Sequence, residues 1–378
     1  MNDDLFDLLE RTSQADGASA GLDLLIRELL EQKRHQLVFE VRLLQARHAL
    51  GLPLVFAGTI ADLPPERRDA YQAALTDAAR EAGSSYLADG DIVRAWTYFR
   101  AIGEPAPVAA AIERVQSREE AEGVLGIALV EGVNLRKGFQ LLLEHRGICQ
   151  GVDFVTKCAD RENRVMFLQM LVRAFYSQLA AQLREAIASV KGEIPETSRV
   201  VELIAGRDWL FEGGNLYIEN SHLVSILQAS PDLDDPETMR LVLELAEYAQ
   251  RLAPIHHFQA EPPFDDPYLD HAEYLGALLG ENIDDAVAHF RKKVTGSVPG
   301  SAEVLVGLLA RLGRYEEAIQ TSLEHLGGEA GDGCPSAIQL CQMAGDYQRL
   351  REVARKARDL LGFAAGLIHS SSGASRSG

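Results

Sequence analysis

The chain has 378 residues, 47% of them hydrophobic and 25% charged, which allows a packed core and excludes wholesale disorder. Its 37 basic and 56 acidic side chains leave a net charge of −19. That excludes a general nucleic-acid coat or an anionic-membrane binder, because either needs a positive face. Four scattered cysteines (Cys149, Cys158, Cys334, Cys341) make neither a disulfide framework nor a CxxC metal site. No apolar run approaches the roughly 18 residues of a membrane span. The acidic start MNDDLFDLLERTSQADG lacks the basic-then-apolar order of a signal peptide. The expectation is a cytoplasmic protein with reduced thiols, built as two or three domains or as one repetitive array.

In chain order the hydrophobic period is helical. Leu22, Leu25, Ile26, Leu29 and Leu30 lie on one helix face, and Val38, Val41 and Leu44 resume the rhythm after the charged break Gln32–His35. Pro64–Pro65 before Glu66 predicts a helix start. Leu54–Ala57 is the one strand-like piece. Residues 165–190 carry no breaker and predict a long helix, much buried in its first half. Hairpin dipeptides between alternating runs are absent, so no sheet is expected. The fold class is all-α, with on the order of fifteen helices.

Short turns between so many helices predict successive antiparallel hairpins, and an internal period tests this. Gly280, Gly313 and Gly345 fall 33 and 32 residues apart, in Leu279-Gly280-Glu281, Leu312-Gly313-Arg314-Tyr315 and Ala344-Gly345-Asp346-Tyr347. A further copy lies upstream as Gly83…Tyr86…Gly90-Asp91…Ala95…Phe99…Pro105. Ala95 and Ala318 stand five residues past the turn glycine, where only a small side chain lets two helix axes approach. Leu350 fills that place in the 345 copy, and the 280 copy reaches Ala286 only with one extra residue. These residues resemble the tetratricopeptide repeat. The resemblance implies an αα-hairpin superhelix over about 130 residues and, in function, a surface that holds a peptide or partner helix. The expected division is a helical block over 1–205, an irregular insert over 206–268, repeats over 269–369 and a loose tail over 370–378.

The insert contains a glycine turn among aromatics, with Trp209, Phe211, Asn215 and Tyr217, and then Asn220-Ser221 as a candidate helix cap. Trp209 and Tyr217 are candidate binding residues, although the same pattern favours a loop pinned by its aromatics. Four prolines follow between Pro254 and Pro267. The window 231–290 holds fourteen acids against Arg240 and Arg251, a net −12, together with His256, His257, His271 and His289. Carboxylates and imidazoles this close could hold a divalent cation or run acid–base chemistry. Against that, neighbouring His256 and His257 on an extended loop point apart, and Asp265 and Asp266 before Pro267 suit a helix start.

No dinucleotide, phosphate-loop or nucleophile-elbow motif is present, so no cofactor and no catalytic residue are assigned. The basic runs Lys33–His35 and Arg291–Lys293 read as solvated helix ends. The sequence therefore favours a scaffold that binds a protein or peptide, with a basic partner meeting Asp265, Asp266, Asp270, His256, His257 and His271. An enzyme or metal protein using loop 256–273 is the alternative. A third reading pairs the ends of two arrays through the apolar segment 359–369.

Overall fold

A computed structural model describes residues 3–55, 60–258, 260–331 and 333–374. Helices account for most of it, and among the described residues the β pairing is a single bridge between Gly331 and Cys334. Of the strand-like piece, Leu54 and Val55 form a bend, while Phe56 and Ala57 lie outside the described residues. Two compact units divide after Gly147. The division falls well before residue 205, inside a helix broken where Gly147 adopts φ 82° and ψ 179°, a conformation open in practice to glycine alone.

The first unit holds α1 (Asp3–Asp16), α2 (Ala18–Glu31), α3 (His35–Ala49), α4 (Pro65–Ala88), α5 (Ile92–Ile102), α6 (Ala106–Ile112), α7 (Arg118–Leu125) and the first part of α8 (Leu135–Lys157). The expected start at Pro65 is the first residue of α4. From α1 to α6 each helix packs on the next. Ile26 and Leu29 of α2 close on Val38 and Val41 of α3, as their spacing predicts. Burying each such side chain contributes roughly 1.5–3 kcal/mol before entropy is counted.

The second unit continues with α9 (Arg161–Lys191), α10 (Val200–Ile204), α11 (Asn220–Ala229) and α12 (Pro236–Gln250). It then runs α13 (Pro267–Leu278), α14 (Ile283–Thr295), α15 (Ser301–Arg311), α16 (Tyr315–His325), α17 (Ala337–Ala344), α18 (Tyr347–Lys356) and α19 (Leu360–Ala374). Asp160 starts α9 by accepting the Asn163 N–H at 2.8 Å, and Gly192 at φ 81° ends it. Its buried stripe runs from Phe167 to Ile187, along the whole helix rather than its first half, because α10, α11 and α12 all pack on it. From α12 to α19 each helix packs on its successor, the sequential pairing that the glycine period predicts. α19 includes residues 370–374, where a loose tail is expected; 375–378 lie outside the described residues.

The turn glycines explain that pairing. Gly90, Gly280, Gly313 and Gly345 all take positive φ, between 67° and 87°, which reverses the chain in the space of a residue or two. After two of them an aspartate caps the next helix: Asp91 accepts from Arg94 N and Asp346 from Arg349 N, both at 2.9 Å. The residues at the close-approach position, Ala95, Ala286, Ala318 and Leu350, are all fully buried. At Gly83 on α4 the approach is close, since a Cβ there would stand 2.7 Å from the buried Phe99 ring of α5. Gly83→Val should therefore destabilise the first unit by roughly 1–3 kcal/mol through overpacking, read as a lower urea midpoint with unchanged helical circular dichroism.

Candidate functional site

The proline loop between α12 and α13 is held by its own polar groups. The Pro262–Pro263 peptide is cis. His256 donates from Nε2 to the Gly214 carbonyl at 2.9 Å, and His257 from Nε2 to the Leu252 carbonyl at 3.0 Å. The two rings therefore serve different backbone oxygens and do not converge. Asn220 is not the cap that the sequence suggests, since its side chain accepts no helix N–H. It is buried and donates to the His256 carbonyl and to the Tyr268 hydroxyl, which also takes the Phe258 N–H at 3.3 Å.

The next group is built around a carboxylate with no access to water. Asp270 on α13 is 0% exposed. Its Oδ1 accepts from His289 Nε2 at 2.7 Å, and its Oδ2 accepts from Lys293 Nζ at 2.5 Å and from the Asp266 N–H at 3.0 Å. His289 and Lys293 stand four residues apart on α14, so they share the face turned toward α13. Lys293 also donates to Asp265 and to the Pro263 carbonyl at 3.1 Å. Burial opposes the ammonium charge, yet Asp265 and Asp270 together hold its pKa above the ordinary value, and Lys293 in turn lowers that of Asp265. Asp266 caps α13 by accepting from Leu269 N at 3.1 Å. Arg291 and Lys292 are exposed, as a solvated run predicts, but Lys293 departs from that reading, its side chain only 13% exposed and clamped by the two acids. Asp270 and His271 are likewise not surface groups.

His271 is 1% exposed and stacks on Phe264 with ring centroids 4.2 Å apart. Its Nδ1 donates to the Pro267 carbonyl at 2.6 Å. Burial depresses its pKa from 6.5 to about 4, so the ring is neutral in the fold. Phe264 also meets the edges of Tyr274 and Phe290, which fixes the loop in an aromatic nest.

Much of the remaining acidic window is spent across helix junctions. Asp232 takes Arg164 of α9 at 2.9 Å. Asp235 and Glu237 share Arg173 at 3.1 and 3.2 Å, and Asp284 pairs with Arg314 at 2.7 Å. The buried Glu244 accepts from Arg199 at 2.8 Å and from the Tyr176 hydroxyl, which itself takes the Val200 N–H. Burial, reinforced by Glu244, raises the Tyr176 pKa. Glu247, Glu261, Glu281 and Asp285 remain exposed.

The aromatic turn folds back onto α12. The Tyr217 hydroxyl donates to the Leu210 carbonyl at 3.1 Å, and the Tyr217 N–H reaches the Tyr248 hydroxyl at 3.4 Å. Phe211 tilts against Tyr248 and carries the Arg251 guanidinium 5.1 Å from its ring centre. Trp209 is half-buried. The loop is thus pinned to α12 through Tyr217 and Phe211.

A cleft of about 900 Å³ lies elsewhere in the second unit. Its walls come from the start of α9 (Arg161, Arg164), the end of α11 (Gln228), α15 (Glu303, Arg311) and α17 (Gln342, Met343), with Phe264 and Tyr274 adding an aromatic side. Arg311 donates to the Pro231 carbonyl at 2.6 Å and to that of Leu233, so it is structural. Arg161 is freer: its side chain is 75% exposed and stands 3.8 Å from Asp232. Gly307 on α15 admits the 331–335 loop, since a Cβ there would lie 3.2 Å from the Gly333 carbonyl. Of the sequence candidates none lines this cleft; Phe264 beside His271 comes nearest. Its residues are 60 or more positions apart between α9, α11 and α15, and no spacing rule joins them.

Comparison with protein-family models, with curated proteins and with solved structures finds no match for this chain. Among the described residues no group of three or more His, Cys, Asp or Glu side chains is placed to hold a metal ion. No helix among them is long and apolar enough to cross a membrane.

The burial of neutral His271 has a pH signature. Between its folded value near 4 and its ordinary 6.5 the unfolded chain binds the extra proton. Stability is therefore complete above pH 6.5 and falls as pH drops toward 4, by up to roughly 3 kcal/mol. Urea midpoints across that range should show the loss, and His271→Asn should flatten it relative to the parent chain.

Proposed function

We propose that this protein is a tetratricopeptide-like scaffold that takes an extended peptide into the cleft of its second unit. The carrying observation is the cleft itself: a concavity lined by helices from four separate parts of the second unit, the kind of surface that packed helices offer a peptide. The glycine period and the small buried residue after three of the four turns support the repeat reading.

The lining suggests the ligand's chemistry. Gln228 and Gln342 are exposed amides that can donate to and accept from a peptide backbone. Phe264, Val304 and Met343 offer an apolar side chain a place beside them. Arg161, loosely held by Asp232, is the cation with capacity left over, so a peptide carrying an acid fits this cleft better than a basic one. A basic partner depends instead on the exposed acids outside it, and the acids of the loop and of the α9–α12 junction already face cations of the chain. A metal or acid–base enzyme fits less well, because His256 and His257 diverge and His271 is sealed from solvent.

The test uses two fluorescein-labelled decapeptides, one alternating Asp with Leu and one alternating Lys with Leu, followed by anisotropy at low and moderate salt. The acidic peptide should bind, and Arg161→Glu should weaken it by about tenfold. Preference for the basic peptide, unchanged by Arg161→Glu, would move the function to the acidic surface. Absence of binding by either would remove the cleft as a site for charged peptides.

A further inference from the structure

α19 has its small residues inside and its large ones outside. Gly362 and Gly366 are buried against α18, and a Cβ at Gly366 would stand 3.0 Å from the Tyr347 carbonyl, so the two helices touch nearly backbone to backbone. Tyr347 stacks on His369 at 3.6 Å between ring centroids, and Arg355 lies 4.9 Å over Phe363, which fixes the rotation of α19 about its axis. That rotation turns the leucines to solvent: Leu360 is 82% exposed, Leu361 84%, Leu367 45% and Ile368 66%, with Ala364 and Ala365 exposed between them. A helix face turned to solvent is ordinarily polar. This one presents two apolar turns.

From this geometry we infer that the outer face of α19 is an isologous contact with a second copy of this chain. The face reads nearly the same in both directions from Ala364: Leu361 and Leu367 stand three residues either side of it, and Leu360 and Ile368 four. Such a pattern is what a two-fold axis through antiparallel helices requires, since every residue then meets the residue at the mirrored position. Leu360 of one copy lies over Ile368 of the other and Leu361 over Leu367, while Ala364 at the axis lets the helices approach. Charge favours this end of the molecule as well. The chain carries −19, so two copies repel at most points of contact, yet Leu360–Ala374 contains no Asp, Glu, Lys or Arg. The adjoining stretch 345–359 holds five basic residues against three acidic ones, so the surroundings of the face lack the acid excess of the whole. From the fractional exposures, the contact buries on the order of 500 Å² per copy, about 1,000 Å² in all, at the lower edge of a specific interface. The pair is accordingly weak and in exchange with the free chain.

Sedimentation velocity of the full chain between about 1 and 100 µM should show a rise from one to two chain masses, as befits a contact at that lower edge. Leu361→Glu, at a position already exposed, should keep the helical circular dichroism and melting temperature and weaken the dimer at least tenfold. In a Cys149→Ser, Cys158→Ser background, Ala364→Cys should form an intermolecular disulfide on mild oxidation, whereas a cysteine at Ala357 should not. A single chain mass at every concentration, or a dimer indifferent to Leu361→Glu, would overturn the proposal. So would a chain that stays monomeric and floats with phosphatidylserine vesicles through Leu361, which would give the face to a lipid surface instead.

Discussion

A carboxylate at 0% exposure needs hydrogen-bond donors held against both its oxygens, and Asp270 finds them in Lys293 and His289 on the neighbouring helix. The same ammonium reaches back to the Pro263 carbonyl and to Asp265, so one residue of α14 fixes both the start of α13 and the loop before it. Phe264 is the next link. Held between His271, Tyr274 and Phe290, it forms part of the cleft wall. Shape at the cleft thus rests on an ion cluster, centred on buried Asp270, that does not itself line the cleft. Removing Lys293 would take from the buried Asp270 oxygen its charged donor, which is why such clusters are sensitive to single changes.

The arginines of α9 play a related part at larger scale. Arg164 and Arg173 face Asp232, Asp235 and Glu237, which lie more than sixty residues later in the chain. Arg199 and Tyr176 meet on Glu244 in the same way. Each is a cross-brace between helices that the hydrophobic stripe of α9 has already brought together. The exposed pairs contribute little to stability one by one; their effect is on which helix face meets which.

The architecture was legible because it rests on local rules. A glycine at positive φ, a capping aspartate and a small residue five positions on are all visible in the letters, and Gly90–Asp91–Ala95 shows the three together. Asp266 as a helix cap followed from the same reasoning. The site was less legible, because it rests on partners far apart in sequence. Lys293 looked like part of a solvated basic run; the available signal was its spacing of four from His289, opposite Asp270 across the Gly280 turn. Asn220 had the letter of a cap and the burial of a tether. Arg161, Gln228, Glu303 and Gln342 meet only once the chain is folded, and nothing in their local sequence marks them.

The braced acids also change what the molecule looks like from a distance. Arg161, Arg164, Arg173, Arg199, Lys293 and Arg314 all lie outside residues 231–290 and stand against acids within them, which halves that window's net −12. At separations beyond about 8–10 Å in physiological salt, an approaching ion senses only what such pairs leave uncancelled. The electric field of this surface is therefore multipolar and short in reach, and a diffusing molecule is steered by it far less than the count of aspartates and glutamates implies.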